Sequence, residues 1–111
     1  MLVIEDEILI GMLLEDLLTD MGITVLEVAA TLSRGLALAS DIEADGAILD
    51  VNIGGKMVFP VADALATRGI PFVFATGYGA YGLSPRYARH NVIAKPFDPE
   101  PLQQFLLAAF V

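Results

Sequence analysis

The sequence predicts an α/β protein with a doubly wound parallel sheet that carries helices on both faces. Short apolar runs alternate with amphipathic stretches of helical length, which is typical of parallel strands joined by crossover helices. The apolar runs show little alternation of polar and apolar residues, as expected for strands buried on both sides. The chain has 111 residues, 56% hydrophobic and 18% charged. This is enough for one core, so residues 1–111 are predicted to form a single domain.

Five short apolar runs are the predicted strands, and each is followed by a turn or a helical pattern. They cover Leu2–Ile4, Thr24–Val28, Ala47–Val51, Phe72–Ala75 and Val92–Ala94. Five strand–helix units with right-handed crossovers fit a flavodoxin-like sheet with the strand order 2-1-3-4-5. In such a sheet, ligands bind beyond the carboxyl ends of strands one and three, so we expect the functional site there.

Apolar residues at helical spacing predict the first two helices. The inward face of the first helix comprises Ile10, Leu13, Leu14, Leu17 and Met21. Gly22 then ends this helix, because glycine readily adopts the conformation found just after a helix. Thr31 or Ser33 can cap the second helix, since a hydroxyl accepts a hydrogen bond from a free backbone N–H group. Its inward residues include Leu32, Leu36 and Ala39.

The second half of the chain predicts two full helices and one short one. The third helix carries Val61, Ala62 and Leu65 on its inward face and ends at Gly69. Glycines and a proline then leave room for one or two turns over Ser84–Arg89, so the fourth helix is predicted to be short. In the last helix, Asp98 is the cap and Pro99 the first helical residue. Its inward residues are Leu102, Phe105, Leu106 and Ala109.

Charge and composition argue against several classes of function. A net charge of −8 without a basic stripe argues against direct binding of nucleic acid. Acidic residues interrupt the apolar runs well before the roughly 20 residues of a membrane span, so no membrane insertion is predicted. The absence of cysteine rules out disulfides and thiolate chemistry and is compatible with the cytoplasm, which is the location we expect.

Five polar residues lie at the carboxyl ends of the predicted strands. Glu5 and Asp6 follow the first strand, Asp50 the third, Thr76 the fourth and Lys95 the fifth. Because these ends share one edge of a parallel sheet, we expect the five side chains to converge in a crevice. Three neighbouring carboxylates repel one another unless they share a proton, contact a lysine or bind a divalent cation. Mg²⁺ suits this set best, because it prefers oxygen ligands.

The order of these residues resembles the response-regulator receiver family of two-component signalling. The shared features are an acidic pair after strand one, a lone aspartate after strand three, Thr76 after strand four and the tripeptide Lys95-Pro96-Phe97. Each motif is weak alone, but their order and their positions at strand ends make the match specific. The resemblance covers the whole chain.

The resemblance implies that Asp50 is the phosphoacceptor, a carboxylate nucleophile toward phosphohistidine or a small acyl phosphate. Thr76 and Lys95 would contact the transferred phosphoryl group. The implied Mg²⁺ ligands are Glu5, Asp6, Asp50 and the backbone carbonyl of Asn52. The implied protein is a regulatory phosphoacceptor, limited to self-phosphotransfer and slow autodephosphorylation. Its implied partners are a sensor histidine kinase or phosphotransfer protein, and a downstream protein or a second copy in a homodimer.

Several positions depart from the usual pattern of that family. Val92 stands where the family has an aromatic switch residue, and Tyr78, Tyr81 and Tyr87 are the candidates to replace it. Gly54-Gly55 replaces a loop that commonly contains proline, and we expect positive φ angles and a tight or mobile loop there. The resemblance also implies that Tyr78 and Asn52 occupy the positions that govern water's approach to the aspartyl phosphate. The bulk of Tyr78 then predicts slow self-hydrolysis.

Two other functions remain open. A degenerate receiver that serves only for docking or dimerisation is favoured by Val92 and the short fourth helix, although the complete acidic pocket opposes it. An aspartyl-phosphate phosphatase of the haloacid dehalogenase type needs a second aspartate two positions after the nucleophile. Asn52 stands there instead. His90 is interpreted as a surface residue without a role in the site.

Overall fold

A five-stranded parallel sheet with helices on both faces forms the centre of the protein. The computed structural model describes residues 1–77, 87, 92–95 and 99–110. The strands are β1 (Leu2–Ile4), β2 (Glu27–Ala29), β3 (Ala47–Asp50), β4 (Asn52–Ile53), β5 (Lys56–Met57), β6 (Phe72–Thr76) and β7 (Val92–Ala94). The helices are α1 (Ile8–Asp20), α2 (Leu32–Ala39), α3 (Phe59–Thr67) and α4 (Pro99–Phe110).

The strands of the main sheet follow the order β2-β1-β3-β6-β7, and all neighbouring strands are parallel. This confirms the predicted flavodoxin-like order 2-1-3-4-5, since β6 and β7 are the predicted fourth and fifth strands. The register aligns Asp50 with Ala75 and Thr76 with Ala94. The carboxyl ends of β3, β6 and β7 therefore lie side by side.

Each face of the sheet has its own hydrophobic core. Leu2, Ile4 and Leu49 point to one face, where they pack with residues of α2 and α3. Val3 and Ile48 point to the other face, where they pack with residues of α1 and α4. Successive strand residues thus point into opposite cores, which explains why the strands show no polar side in the sequence.

Helix α1 packs on the sheet largely as predicted, since Leu14 is buried and Ile10, Leu17 and Met21 are partly buried against the core. Its buried residues are Gly11, Leu14 and Leu18. The prediction that Leu13 faces inward is wrong, because its side chain is 43% exposed. A Cβ atom at Gly11 would lie 3.1 Å from Val28 Cγ1, so the missing side chain lets the helix approach β2 closely. That contact turns Leu18, rather than Leu13, into the core.

Helices α2 and α3 follow their predicted patterns. Val61, Ala62 and Leu65 of α3 are buried. Thr31 caps α2, where its Oγ1 accepts a hydrogen bond from Arg34 N at 3.2 Å. Arg34 also forms a two-pronged ion pair from α2 to Glu27 of β2, with N–O distances of 2.7 and 2.9 Å.

Several boundaries differ from the predicted ones by one to three residues. Strand β2 begins at Glu27 rather than Thr24, because its partner β1 begins at Leu2, which pairs with Glu27. Strand β3 ends one residue early, at Asp50, while β6 continues to Thr76 because this residue pairs with Ala94 of β7.

The segment after β3 forms a short antiparallel hairpin that was not predicted. Strands β4 and β5 are joined by Gly54 and Gly55, whose φ angles are 58° and 86°. Two consecutive residues with positive φ are what a tight two-residue hairpin turn requires. The expected positive φ angles are therefore confirmed, in a regular turn.

Some predictions fall outside the described residues. These are the short fourth helix over Ser84–Arg89 apart from Tyr87, the roles of Tyr78, Tyr81 and His90, and the Pro96–Asp98 segment with its predicted cap. Among the helices that the structure describes, none is long and apolar enough to cross a membrane.

Candidate functional site

The predicted site residues meet at the carboxyl edge of the main sheet. Glu5 follows β1, Asp50 ends β3, Thr76 ends β6 and Lys95 follows β7. Asp50, Thr76 and Lys95 line a cleft of about 480 Å³. Its lining residues are Asp6, Glu7, Asp50, Val51, Asn52, Met57, Thr76, Gly77 and Lys95. The topology of the sheet thus brings together side chains that are far apart in sequence.

Lys95 is the counter-ion of the acidic cluster. Its Nζ lies 2.7 Å from Glu5 Oε2 and 3.1 Å from Asp50 Oδ2. Its backbone N–H donates to the carbonyl of Thr76 at 3.1 Å, which fixes the residue at the end of β6. Of the possible ways to relieve repulsion among these carboxylates, the structure shows a lysine placed between two of them.

Glu5 is the most deeply buried acid of the site, with 2% of its surface exposed. Its Oε1 accepts a hydrogen bond from the backbone N–H of Glu7 at 3.2 Å, and its Oε2 accepts one from Lys95. Burial raises the pKa of Glu5 because it penalises the charged form, although the bond from Lys95 opposes this and nearby Asp50 adds to it.

The pKa of Lys95 reflects two opposing causes. Burial alone would lower it, but the hydrogen bonds and charges of Glu5 and Asp50 together outweigh burial, and the pKa is raised. Lys95 therefore stays protonated at neutral pH. Its ammonium group provides a fixed positive charge beside Asp50.

Asp6 is held from the other side of the cleft by the β4–β5 hairpin. The backbone N–H of Gly54 donates to Asp6 Oδ2 at 2.8 Å. The N–H of Asn52 lies 3.4 Å from Asp50 Oδ1, and the Asn52 side chain accepts from Gly55 N at 2.9 Å. The hairpin therefore contacts both Asp6 and Asp50 through its backbone.

The donor atoms fit a hard divalent cation. Carboxylate oxygens of Glu5, Asp6 and Asp50 lie within 4.8 Å of one another. Oxygen ligands of this kind are those that Mg²⁺ prefers. Both oxygens of Glu5 already accept hydrogen bonds, whereas the described contacts of Asp6 use Oδ2 and leave Oδ1 available. Both oxygens of Asp50 also have partners, Lys95 Nζ and Asn52 N. Asp6 and Asp50 line the cleft, however, and Glu5 is not among its lining residues, so these two are better placed than Glu5 to bind the ion directly.

Asn52, whose backbone carbonyl is a predicted ligand, lines the cleft. Val58 N donates to Val51 O across the hairpin, so the adjacent pair of Asn52 and Met57 is of the non-hydrogen-bonded type. The N–H and C=O groups of such a residue both point away from the partner strand. Because the N–H of Asn52 points toward Asp50, its carbonyl lies on the same side.

Thr76 and Val92 lie where the pattern of strands predicts them. Thr76 is buried and lines the cleft. Val92 pairs with Phe74 in the neighbouring strand and packs, partly buried, against the core on the α2 and α3 face. Tyr87, the one tyrosine that the structure describes, packs against the same core.

Tyr87 joins an aromatic cluster on that face. Its ring stacks on Phe59 with a centroid distance of 5.8 Å and meets Phe72 and Phe74 edge-on at 5.9 and 5.4 Å. Its hydroxyl donates to Asp63 Oδ1 of α3 at 2.5 Å. Tyr87 therefore contacts helix α3 through both its ring and its hydroxyl.

Sequence reasoning missed the role of the hairpin in this site. The hydrogen bond from Gly54 to Asp6 joins residues 48 positions apart, and no local sequence pattern predicts it. The available signal was the Gly54-Gly55 pair itself, since two glycines between short extended runs indicate a hairpin turn.

Comparisons with known proteins identify relatives along most of the chain. No family model matches the sequence. The phyllosphere-induced regulator PhyR of Methylorubrum extorquens is 38% identical over 102 residues, which cover 88% of this chain. The match spans only 38% of that regulator's length.

Solved structures extend the comparison to the fold. SdrG from Sphingomonas melonis Fr1 matches with a TM-score of 0.86 and 43% identity, covering 99% of this chain and 94% of SdrG. The receiver domain of the response regulator PhyR from Erythrobacter litoralis matches with a TM-score of 0.81 and 27% identity, covering 97% and 86% of the two chains. By its likeness to SdrG over nearly the full length of both chains, the protein belongs to the response-regulator receiver domains of the PhyR and SdrG type.

Proposed function

We propose that the protein is a phosphorylatable receiver in which Asp50 accepts a phosphoryl group from a sensor histidine kinase or a phosphotransfer protein. The observation that carries this proposal is the contact between the Lys95 ammonium and Asp50 Oδ2 at 3.1 Å, at the edge of a cleft that Asp6 and Thr76 also line. Such a cleft combines a carboxylate nucleophile with a fixed cation.

In the proposed reaction, an oxygen of Asp50 attacks the phosphorus of a phosphohistidine. The P–N bond breaks, its electron pair stays on the imidazole of the donor, and an aspartyl phosphate forms on Asp50. Charge develops on the phosphoryl oxygens in the loose transition state, and the ammonium of Lys95 lies beside them. Thr76 ends the neighbouring strand β6 and lines the cleft, where its hydroxyl can donate to one of these oxygens.

Glu5 has a supporting role in this proposal. Its buried carboxylate accepts a hydrogen bond from Lys95 at 2.7 Å and so holds the ammonium next to Asp50. Asp6, Asp50 and the carbonyl of Asn52 would hold Mg²⁺, with Glu5 behind them. When bound, the ion would neutralise negative charge shared by the carboxylates and the phosphoryl group.

The site favours a regulatory phosphoacceptor over an enzyme with a separate substrate. A phosphatase of this chemistry needs a second acid two positions after the nucleophile, but Asn52 stands there and its side chain accepts a hydrogen bond from Gly55. We therefore expect only self-phosphotransfer and slow autodephosphorylation. Phosphohistidine donors and Mg²⁺ occur in the cytoplasm, so this function implies a cytoplasmic protein.

An exposed apolar surface beside the cleft supports a protein as the phosphodonor. Ile8, Leu9, Met12 and Leu13 of α1 are 74%, 81%, 57% and 43% exposed. This surface begins directly after Glu7, which lines the cleft. A donor that brings its phosphoryl group to Asp50 must contact this rim, and the apolar side chains suit a partner helix with an apolar face.

Incubation with acetyl phosphate followed by intact-mass measurement tests the proposal. The wild type and Asp45→Asn are expected to gain one phosphoryl group in the presence of Mg²⁺, and Asp50→Asn none. Asp45 is a matched control because it is an exposed aspartate that precedes β3, at the opposite edge of the sheet. EDTA should suppress the adduct in the wild type and in Asp45→Asn.

The same experiment separates a second candidate, a receiver that serves only for docking or dimerisation. Val92 in place of the family's aromatic residue and the exposed face of α1 favour that candidate. It predicts no adduct in the wild type. An adduct that persists in Asp50→Asn would contradict both candidates.

A further inference from the structure

The β4–β5 hairpin reaches the two carboxylates that are best placed to bind the metal. The Gly54 N–H donates to Asp6 Oδ2 at 2.8 Å, and the Asn52 N–H lies 3.4 Å from Asp50 Oδ1. We propose that the hairpin is a positioning element of the metal site and that the Gly54 N–H orients Asp6 for the ion. This inference rests on the proposed function, because it takes Asp6 and Asp50 as ligands.

The chemistry of a carboxylate explains why one hydrogen bond matters. Asp6 lies between β1 and α1 and is only half-buried, so packing alone constrains its side chain weakly. A donor on Oδ2 fixes the rotation of the carboxylate and leaves Oδ1 available as a ligand. Partners that orient a ligand in this way commonly change metal affinity by about 10- to 100-fold when they are lost.

The turn that presents this N–H depends on two glycines. Gly54 and Gly55 have φ angles of 58° and 86°, and a Cβ atom at either position would meet nothing within 4 Å. Alanine at these positions would therefore disturb the backbone conformation without a steric clash. Gly55 N also donates to Asn52 Oδ1 and closes the turn on the residue that contacts Asp50.

Two double variants distinguish a loss of Asp6 positioning from a general loss of folding stability. Gly54→Ala/Gly55→Ala strains the hairpin, whereas Gly22→Ala/Gly69→Ala places the same strain at the ends of α1 and α3. The control glycines have φ angles of 82° and 71° and equally open surroundings. Mg²⁺ dissociation constants from calorimetry should rise about 10-fold or more in the hairpin variant alone. Unfolding by urea should show similar losses of stability in both.

Hydrogen exchange in the metal-free protein supplies a second readout that needs no reaction. Asp6→Ala removes the acceptor, so the amide of Gly54 should exchange faster than in the wild type. Asp16→Ala, an exposed change on α1, should leave that amide unaffected. Unchanged exchange at Gly54 in Asp6→Ala would contradict the hydrogen bond on which the inference depends.

The outcomes distinguish this inference from the proposed function. A wild type that is phosphorylated and binds Mg²⁺, with equal affinities in the two double variants, contradicts the positioning role alone. Equal losses of affinity in both double variants also contradict it, since strain anywhere would then have the same effect. A wild type that binds no Mg²⁺ contradicts the positioning role together with the metal site.

Discussion

Replacement of Lys95 by methionine should destabilise the protein strongly, because it removes the cation between two buried acids. Glu5 is 2% and Asp50 8% exposed, and the Lys95 side chain is 15% exposed. Breaking a buried ion pair by deleting one partner costs about 3–5 kcal/mol. Methionine keeps most of the volume, so little of the loss will come from packing. We expect a loss of about 3 kcal/mol at pH 7, the lower end, because Glu5 can take up a proton.

The pH dependence of this variant follows from the same pair. Burial already raises the pKa of Glu5, and loss of the Lys95 hydrogen bond removes a cause that lowered it. With a raised pKa, the folded protein binds more protons than the unfolded chain, so stability falls as pH rises through the pKa of the folded state. The destabilisation by Lys95→Met should therefore be smaller in mildly acidic buffer than in alkaline buffer.

Urea unfolding in EDTA measures both effects. Lys56→Met is the matched control, since it makes the same change of charge at an exposed residue of β5. It should alter the free energy of unfolding by at most about 0.5 kcal/mol. Equal stabilities of Lys95→Met and Lys56→Met at pH 7, or greater destabilisation at lower pH, would refute the assignment of Lys95 as the counter-ion of the cluster.

Three other substitutions test individual contacts of the fold by urea unfolding. Gly35→Ala should cost about 1 kcal/mol, because its Cβ would lie 3.2 Å from Ile4 Cδ1 and overpacking exceeds the gain in helix propensity; a more stable variant would contradict this. Tyr87→Phe should cost about 1 kcal/mol by removing the hydrogen bond to Asp63, and no loss would show that the bond contributes nothing. Arg34 of α2 lowers the pKa of Glu27 by a hydrogen bond and by its charge, so any stability lost in Glu27→Gln should be present at neutral pH and disappear as the pH falls through the pKa of Glu27 in the folded protein. A pH-independent difference would exclude the ion pair as its source.

The convergence of the site was predictable because parallel strands place their carboxyl ends at one edge. Glu5, Asp50 and Lys95 each follow a short apolar run, and this position alone predicted that they meet. The choice among a shared proton, a lysine and a cation was not predictable. That choice depends on whether the Lys95 ammonium can reach the Glu5 carboxylate, and in the structure the two are 2.7 Å apart. The conformations of two long side chains determine this distance, and the sequence does not specify them.

Details that depend on contacts between distant elements could not be predicted from the sequence. The pattern of α1 allows either Leu13 or Leu18 to face the core, and the close approach of Gly11 to Val28 selects Leu18. The hydrogen bond from Gly54 to Asp6 likewise depends on where the hairpin turns relative to β1. Local periodicity describes one element at a time, so it carries no information on these contacts.

The phosphoryl group on Asp50 can be located directly. Borohydride reduces an aspartyl phosphate to homoserine, and tandem mass spectrometry of the digested protein then identifies the modified position. After treatment with acetyl phosphate and Mg²⁺, we expect homoserine at position 50 alone. Homoserine at Asp6 or Asp45, or none at any position, would contradict the role of Asp50 as the phosphoacceptor.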